Sequence, residues 1–323
     1  MANGSAKPKE KPVAPKRPNW FSSLLTLRFF SDERKIHERA IIDPKAEIAD
    51  DVEIGPFCVI GADVKIESGC RLLNNVTVMG HTKVGKDNIF FPHAVVGAAP
   101  QDKKYRAEPT LLEIGNSNLF REACTIHVGT EKGGGITRVG DNNLLMVNSH
   151  LGHDVILGSN CVLANNVMIA GHVVIGDYVN MMGGVGIHHF CTIGDYAYIS
   201  GYARIHHDVP PFVKVDGADE IRGLNTVGLR RAGYADEDIK ELEKAYRNLF
   251  GKKKPLSVAM SEYDIENGVN PQVKRLVEFL HRRNSGKHGR YLEGQRRTPA
   301  ASIVTPPSET TADPSKALPG SAD

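Results

Sequence analysis

The chain has 323 residues, enough for one large domain or two smaller ones around a substantial core. Its formal net charge of +2 excludes a chain-wide nucleic-acid footprint and leaves any basic patch local. The five cysteines (Cys58, Cys70, Cys124, Cys161, Cys191) show no CxxC spacing, which argues against a zinc ribbon or disulfide framework and for a reducing, cytoplasmic setting.

Residues 1–37 form a basic N-terminal extension, rich in Lys and Pro (Lys7, Lys9, Lys11, Lys16, Arg17), and read as largely disordered. Within it the stretch Trp20 to Phe30, WFSSLLTLRFF, is apolar but too short to cross a bilayer. It reads as a short element docked on the body, with a weak membrane-surface contact through 20–30 as the alternative.

A six-residue beat then begins. It runs through Ile42, Ile48, Ile54, Ile60, Ile66, Leu72, Val78, Val84, Phe90 and Val96, returns at Ile114, Phe120 and Ile126, and continues in sixes from Val139 to Ile205. Four residues after the bulky position stands a small or β-branched one, and every cysteine occupies that second place. A thiol there is a modest hydrophobe inside a narrow core, not a nucleophile.

A period of six matches neither a helix nor an alternating strand. It is the signature of a parallel β-helix, with three hexads per triangular coil and coils stacked about 4.8 Å apart. Strict hexads resemble the left-handed form, an exception to the right-handed crossover rule. The fold class expected is therefore mainly β, a left-handed parallel β-helix over 38–213. Two loops, 98–112 and 131–135, break the beat and should bulge from the coils, where binding residues tend to sit.

A small α-helical domain follows over 214–290. Ile239, Leu242, Tyr246 and Leu249 share one face of 235–250, and Val273, Leu276, Val277 and Leu280 one face of 270–283, which opens with Asn270 and Pro271. Its exposed side is basic (Lys240, Lys244, Arg247, Lys252, Lys253, Lys254, Lys274, Arg275, Arg282, Arg283). Residues 291–323 read as a disordered tail.

With eighteen residues per lap, His153, Gly171, His189 and His207 fall in one column. Asp154, His172, Phe190 and Asp208 run beside it, and Gly152, Ala170, His188 and His206 on its other side. The seven-residue frame shift at 131–135 puts His127 beneath Gly152, and His150 stands three residues before His153. An imidazole titrates near 6.5 and takes a proton from a hydroxyl at neutral pH. Asp154 could orient the His153 ring, and the bare amide of Gly171 could reach a developing oxyanion. That describes acyl transfer with an activated acceptor and no enzyme nucleophile. The competing reading is a zinc site in which a trimer gathers histidines from two subunits. Asp102-Lys103-Lys104, on the first loop, could reach a neighbour's site.

Several blocks, in this order, resemble the UDP-N-acetylglucosamine O-acyltransferases that begin lipid A synthesis. They are IGPFCVIG (54–61), QDKKY (101–105), TIH (125–127), GGGITRVGDNNLLMVNSHLGHD (133–154), LANN (163–166), AGHV (170–173), HHFC (188–191) and DVPPFV (208–213). The resemblance covers about residues 38–285. It implies a cytoplasmic homotrimer, without cofactor or metal, that moves an (R)-3-hydroxyacyl group from acyl carrier protein to the 3-OH of UDP-N-acetylglucosamine. On it, His153 is the general base, Asp154 its support and the Gly171 amide the oxyanion donor. Asp102, Lys104, His127, His150, His172, His188 and His189 would line the sugar and acyl site. Gly201 would set acyl length, and Asn225 and Arg231 would hold the nucleotide. The basic helical face would steer the acidic carrier protein. Val227 and Ala232 stand where the family has a glutamate and an arginine, which keeps a second acceptor open, a UDP-sugar with an amine at C3. A zinc hydratase resembling the γ-carbonic anhydrases and a non-catalytic solenoid scaffold are the readings from other classes.

Overall fold

The structure is a computed structural model that describes residues 35–251, 253–265 and 268–296. The expectations for 1–34, including the 20–30 segment, and for 297–323 lie outside the described residues.

Strands of mostly two residues build three sheets of nine, eight and ten strands, parallel except at the end of the last. The fold is a left-handed parallel β-helix. The nine-stranded sheet carries His150–Leu151, the eight-stranded Ile156–Leu157 and the ten-stranded Val162–Leu163. Val59 faces Thr77 and Thr77 faces Val95, one eighteen-residue lap at a time. The two loops lengthen single laps: Val95 faces Thr125, and Thr125 faces His150.

The packing explains the beat. Ile54, Ile60, Ile66, Leu72, Phe90 and Phe120 point into the prism and are fully buried, each such side chain contributing about 1.5–3 kcal/mol of burial. Phe90 and Phe120 stack with ring centroids 4.7 Å apart. All five cysteines are buried, and burial pushes the thiols of Cys70 and Cys161 up to about 11 and about 12. At many corners the third turn residue takes a left-handed φ near +60°, as at Asn148, Asp154, Asn160, Asn166 and His172. Asn, Asp and His tolerate that conformation best among residues with a Cβ. One corner is also stitched by buried asparagines: Asn118 N–H donates to Asn88 Oδ1 (2.9 Å), Asn143 N–H to Asn118 Oδ1 (2.8 Å) and Cys161 N–H to Asn143 Oδ1 (2.8 Å).

Three boundaries differ from the sequence expectation. The sheet does not stop at 213: Val213–Asp216 adds a parallel strand beside Tyr198–Ile199, and Glu220–Leu224 folds back antiparallel. Val213 and Val215 keep the inward alternation going past the two prolines. The first coil begins at Ile36, which bridges to Ile54. At the other end, 291–296 is not tail. Asp208 accepts the Thr192 N–H and the Tyr291 N–H, both at 2.7 Å, and the Arg290 guanidinium donates to His206 O (2.8 Å). Those bonds fasten the end of the helical unit to the last coil.

That unit comprises α1 (Thr226–Arg231), α2 (Asp236–Phe250), α3 (Leu256–Ser261), α4 (Pro271–Ser285) and α5 (Tyr291–Gln295). Helices α2 and α4 bury the apolar faces read from the sequence, with Ala245 and Phe279 added and Tyr246 only half-buried. The Asn270 side chain caps α4 by accepting from the N–H groups of Gln272 and Val273. The three shorter helices carry too few turns for a periodic signal. No helix of the described residues is long and apolar enough to cross a membrane.

Candidate active site

The corner between the nine- and eight-stranded sheets, residues 152–155, holds the candidate base His153 and its neighbour Asp154. His153 Nδ1 lies 2.7 Å from Asp154 Oδ2, and both residues are nearly buried. Asp154 is itself clamped. The Thr130 N–H donates to Oδ1 (2.8 Å), the Thr130 hydroxyl to Oδ2 (2.6 Å), and Asp154's own N–H donates to Thr137 Oγ1 (2.8 Å). An ionised carboxylate only accepts, so His153 carries its proton on Nδ1 and turns Nε2, with a free lone pair, outward.

The clamp comes from the 131–135 loop. Thr130 caps a 3-10 turn over Glu131–Gly133, accepting the Gly133 N–H. A Cβ at Gly133 would stand 2.0 Å from the Asp154 Cγ, so only glycine lets the loop close on the carboxylate. Thr130, Thr137 and Gly133 were not among the residues the sequence singled out; the GGG run was the available signal.

Gly171 sits one rung above His153, as the lap count requires. A Cβ there would lie 2.6 Å from His153 Cε1 and 2.7 Å from Nε2, so the imidazole packs directly on the glycine. At the corner between the eight- and ten-stranded sheets the N–H at this turn position is taken by the next coil: Ser159 N–H by Asp177 Oδ1 (2.7 Å), Asp177 N–H by Asp195 Oδ1 (2.8 Å). Among the described residues nothing accepts the Gly171 N–H. An amide without an acceptor beside an oriented imidazole has the geometry to donate to an anion.

The other histidines gather around this pair. His127 and His150 meet edge-on at 4.8 Å, as do His153 and His172, while His172 stacks on Phe190 at 4.5 Å. His150 Nδ1 lies 2.8 Å from Thr125 Oγ1. Burial, then the charges of His150 and His153, depresses His127 to about 4. Burial likewise lowers His150, His172 and His189. These four are neutral hydrogen-bonding groups at pH 7. His150, Met168, Gly186, His188, Arg204 and His206 line an adjoining groove of about 460 Å³. Asp102 feels the charges of the histidines of its own chain. The Lys104 N–H (2.9 Å) holds its carboxylate below the ordinary range, helped by the charges of His153 and His172. Lys104 itself is exposed.

His153, Asp154 and His172 offer three atoms within 4.8 Å of one another, which raises the zinc reading again. Two ligands about 2.0–2.1 Å from a tetrahedral zinc stand roughly 3.3 Å apart. The 2.7 Å between His153 Nδ1 and Asp154 Oδ2 is a hydrogen bond instead, and Thr130 donates to both carboxylate oxygens. The donor set does not fit the ion.

An acyl-[acyl-carrier-protein]–UDP-N-acetylglucosamine O-acyltransferase of Thermodesulfovibrio yellowstonii is 43% identical over 253 residues, covering 78% of this chain and 98% of that protein. The chain belongs to this O-acyltransferase family. Residues 208–289 match the family profile "Udp N-acetylglucosamine O-acyltransferase; Domain 2", 136–171 match the bacterial transferase hexapeptide, and 36–105 the GMPPB C-terminal domain. The solved LpxA of Acinetobacter baumannii is 43% identical with a TM-score of 0.72, covering 76% of this chain and 96% of its own. The Arabidopsis UDP-N-acetylglucosamine acyltransferase is 35% identical with a TM-score of 0.69, covering 79% and 98%.

The remaining residues expected from the O-acyltransferase resemblance lie elsewhere on the prism. Gly201 is exposed at the corner between Tyr198–Ile199 and Arg204–Ile205. Asn225 sits at the third corner, buried, and its side chain is already engaged: Nδ2 donates to Tyr196 O (2.9 Å) and Oδ1 accepts the Gly228 N–H (3.1 Å). It caps α1 and pins it to the coil. Arg231 is exposed and, with Asn225, Tyr178, Tyr198, Lys214 and Val227, borders a cleft of about 900 Å³. Within one chain, then, the histidines lie at one corner, and the Asn225–Arg231 cleft crosses the outer face of the ten-stranded sheet to Met182 and Ser200, beside Gly201. Of the basic helical residues, Arg275 turns back to Asp195 and lies 5.3 Å over the Phe212 ring, and Arg283 senses Asp208 and Asp219. Lys240, Lys244 and Arg247 stay exposed, and Lys252 lies outside the described residues.

Proposed function

We propose that this chain transfers an (R)-3-hydroxyacyl group from acyl carrier protein to the 3-hydroxyl of UDP-N-acetylglucosamine, the first step of lipid A synthesis. The observation that carries the reading is the clamped His153–Asp154 pair lying against the unsatisfied Gly171 N–H. His153 Nε2 takes the proton of the sugar hydroxyl as its oxygen attacks the thioester carbonyl. The Gly171 N–H donates to the oxyanion, and Asp154 stabilises the imidazolium. Collapse expels the carrier thiolate, which recovers the proton from Nε2. General-base catalysis contributes about 10²–10⁴-fold and one oxyanion donor about 10²–10³-fold. Neutral His127, His150 and His172 supply hydrogen bonds to sugar and acyl groups without adding cationic charge that would disfavour the imidazolium.

The histidine corner and the face that carries the cleft and Gly201 do not meet within a single prism, which favours assembly of the site between copies in a cytoplasmic homotrimer, where the corner of one prism meets the cleft of the next. The exposed Lys240, Lys244 and Arg247 face is the docking surface for the acidic carrier protein, and it governs association rate more than turnover.

The test is to incubate the purified chain with UDP-N-acetylglucosamine, or its 3-amino analogue, and (R)-3-hydroxyacyl carrier proteins of graded length, then weigh the products. Acylated UDP-N-acetylglucosamine supports the reading. Acylation of the amino sugar alone moves the acceptor, and no acylated sugar from any donor removes the proposal. Light scattering should give three times 35.2 kDa.

A further inference from the structure

The end of the helical unit returns to the histidine corner. Asp154, His172, Phe190 and Asp208 stand on successive rungs of one column, the first three with left-handed φ between +60° and +63°. Along it, His172 Nδ1 lies 3.5 Å from Asp154 Oδ2, and the His172 ring stacks on Phe190, centroids 4.5 Å apart and planes 4° off parallel. Helix α5 is fastened to the column's last rung, where Asp208 accepts the Tyr291 N–H. Its five residues run about 7.5 Å, roughly one and a half coil steps of about 4.8 Å. That length carries Arg296, just past the helix, back to the Phe190 rung, its guanidinium 5.2 Å over the ring that His172 covers on one face. Glu293 holds it there, with its carboxylate 3.5 Å from Arg296 and 3.8 Å from Arg290. These residues follow the stretch matched by the family profile, which ends at 289.

We propose that Arg296 is a positioning residue of the acyl-transfer site: seated on Phe190, its fixed cation keeps the corner's proton on His153 and leaves Asp154 to that ring alone. The inference rests on the acyl-transfer reading of this corner. One carboxylate oxygen, Asp154 Oδ2, lies between two imidazoles, 2.7 Å from His153 Nδ1 and 3.5 Å from His172 Nδ1. A protonated His172 would take Asp154 as its own counter-ion. Its charge, with the two ring centroids 4.8 Å apart, would also oppose the imidazolium that forms on His153. Asp154 and, from the first loop, Asp102 favour that unwanted charge. Burial opposes it first, then His153, His189 and Arg296. Of those three side chains, only the arginine is charged at every working pH. Glu293, which pairs with Arg296, acts on His189 as well. A guanidinium is drawn to an aromatic face, so the Phe190 ring supplies both the seat and the spacing from His172.

Nuclear magnetic resonance of the full chain with ¹³Cε1-labelled histidine tests the arrangement without substrate, the His172 signal being assigned by its loss in His172→Gln. In Arg296→Gln the midpoint of the His172 titration should rise. In Arg296→Lys, which keeps the cation, it should stay at the wild-type value. In the acyl-transfer assay, Arg296→Gln should lower kcat relative to wild type about two- to fivefold more at pH 6 than at pH 8.5, where His172 is neutral in either protein. Arg296→Lys should return that ratio to the wild-type one. An unmoved His172 midpoint in Arg296→Gln, the same rise in Arg296→Lys, or a rate loss equal at both pH values would each overturn the proposal. No product from the wild-type chain would remove the acyl-transfer reading and this role with it, whereas normal transfer with an unmoved midpoint removes the role alone.

Discussion

Gly171→Ala puts one methyl group where the geometry leaves no room for it. The new Cβ would stand 2.6 Å from His153 Cε1, 2.7 Å from Nε2 and 3.0 Å from Nδ1. Reaching an ordinary contact near 3.4 Å requires the ring to move by about 0.8 Å or the two coils to part. The ring is not free to move, because Nδ1 is held at 2.7 Å by Asp154, which Thr130 holds in turn. The backbone accepts alanine, since Gly171 is not among the glycines with positive φ, and the N–H donor survives the change. Overpacking costs about 1–3 kcal/mol of stability. A displacement of about 1 Å at a reacting atom costs about 10²-fold in rate. Initial rates of acyl transfer should therefore show kcat falling about 10²-fold with KM for either substrate nearly unchanged. In a His153→Ala background the same methyl should cost no more than about threefold, because the ring it displaces is gone. Wild-type kcat in Gly171→Ala, or full additivity in the double variant, would refute the contact between these two rungs.

Thr130→Val removes the hydroxyl donor to Asp154 but keeps the N–H; loss of a charge-assisted bond worth about 1.5–3 kcal/mol should lower kcat roughly ten- to a hundredfold, read in the same assay. Acidification should destabilise the protein. His127 titrates at about 4 when folded against 6.5 when unfolded, so the unfolded state binds the extra proton and stability is lost as pH falls from about 6.5 to about 4, by roughly 3 kcal/mol from this group. Urea melts across that range should show the slope, and His127→Gln should flatten it. The buried, high-pKa thiols should leave a disulfide reagent with no reactive cysteine at pH 8 in the native protein and five in guanidinium. Asn225→Ala should cost about 1–2 kcal/mol in thermal melts through the lost α1 cap, separately from any effect on nucleotide affinity.

The prism and its central pair were legible because both follow from one number, the lap of eighteen residues. Inward aliphatics fix the period, and the period places Gly171 over His153 and His127 under Gly152. The same count already separated Gly201, which stands forty-eight residues after His153, two laps and two thirds. Family likeness grouped it with the histidines, and the geometry of one chain does not. The Asp154 clamp was hidden because a glycine-rich loop returns by a 3-10 turn, whose path depends on a contact as close as that of Gly133 with the carboxylate. Asn225 also caps α1 and bonds to Tyr196 O, a structural role that an asparagine just before a helix takes by default and that the sequence reading did not assign. The ends were misplaced for a common reason. The backbones of Lys35, His37 and Tyr291 are held by hydrogen bonds to residues far along the chain, Ile54 and Asp208, which no local pattern announces.

The central claim is that the His153 imidazole removes the acceptor proton. It is tested most directly by His153→Gly with and without free imidazole in the acyl-transfer assay. A loss of about 10²–10⁴-fold that added imidazole partly restores, with an unchanged melting temperature, is the predicted result. Turnover within a few-fold of wild type, or a loss that imidazole does not relieve in a folded protein, would contradict it.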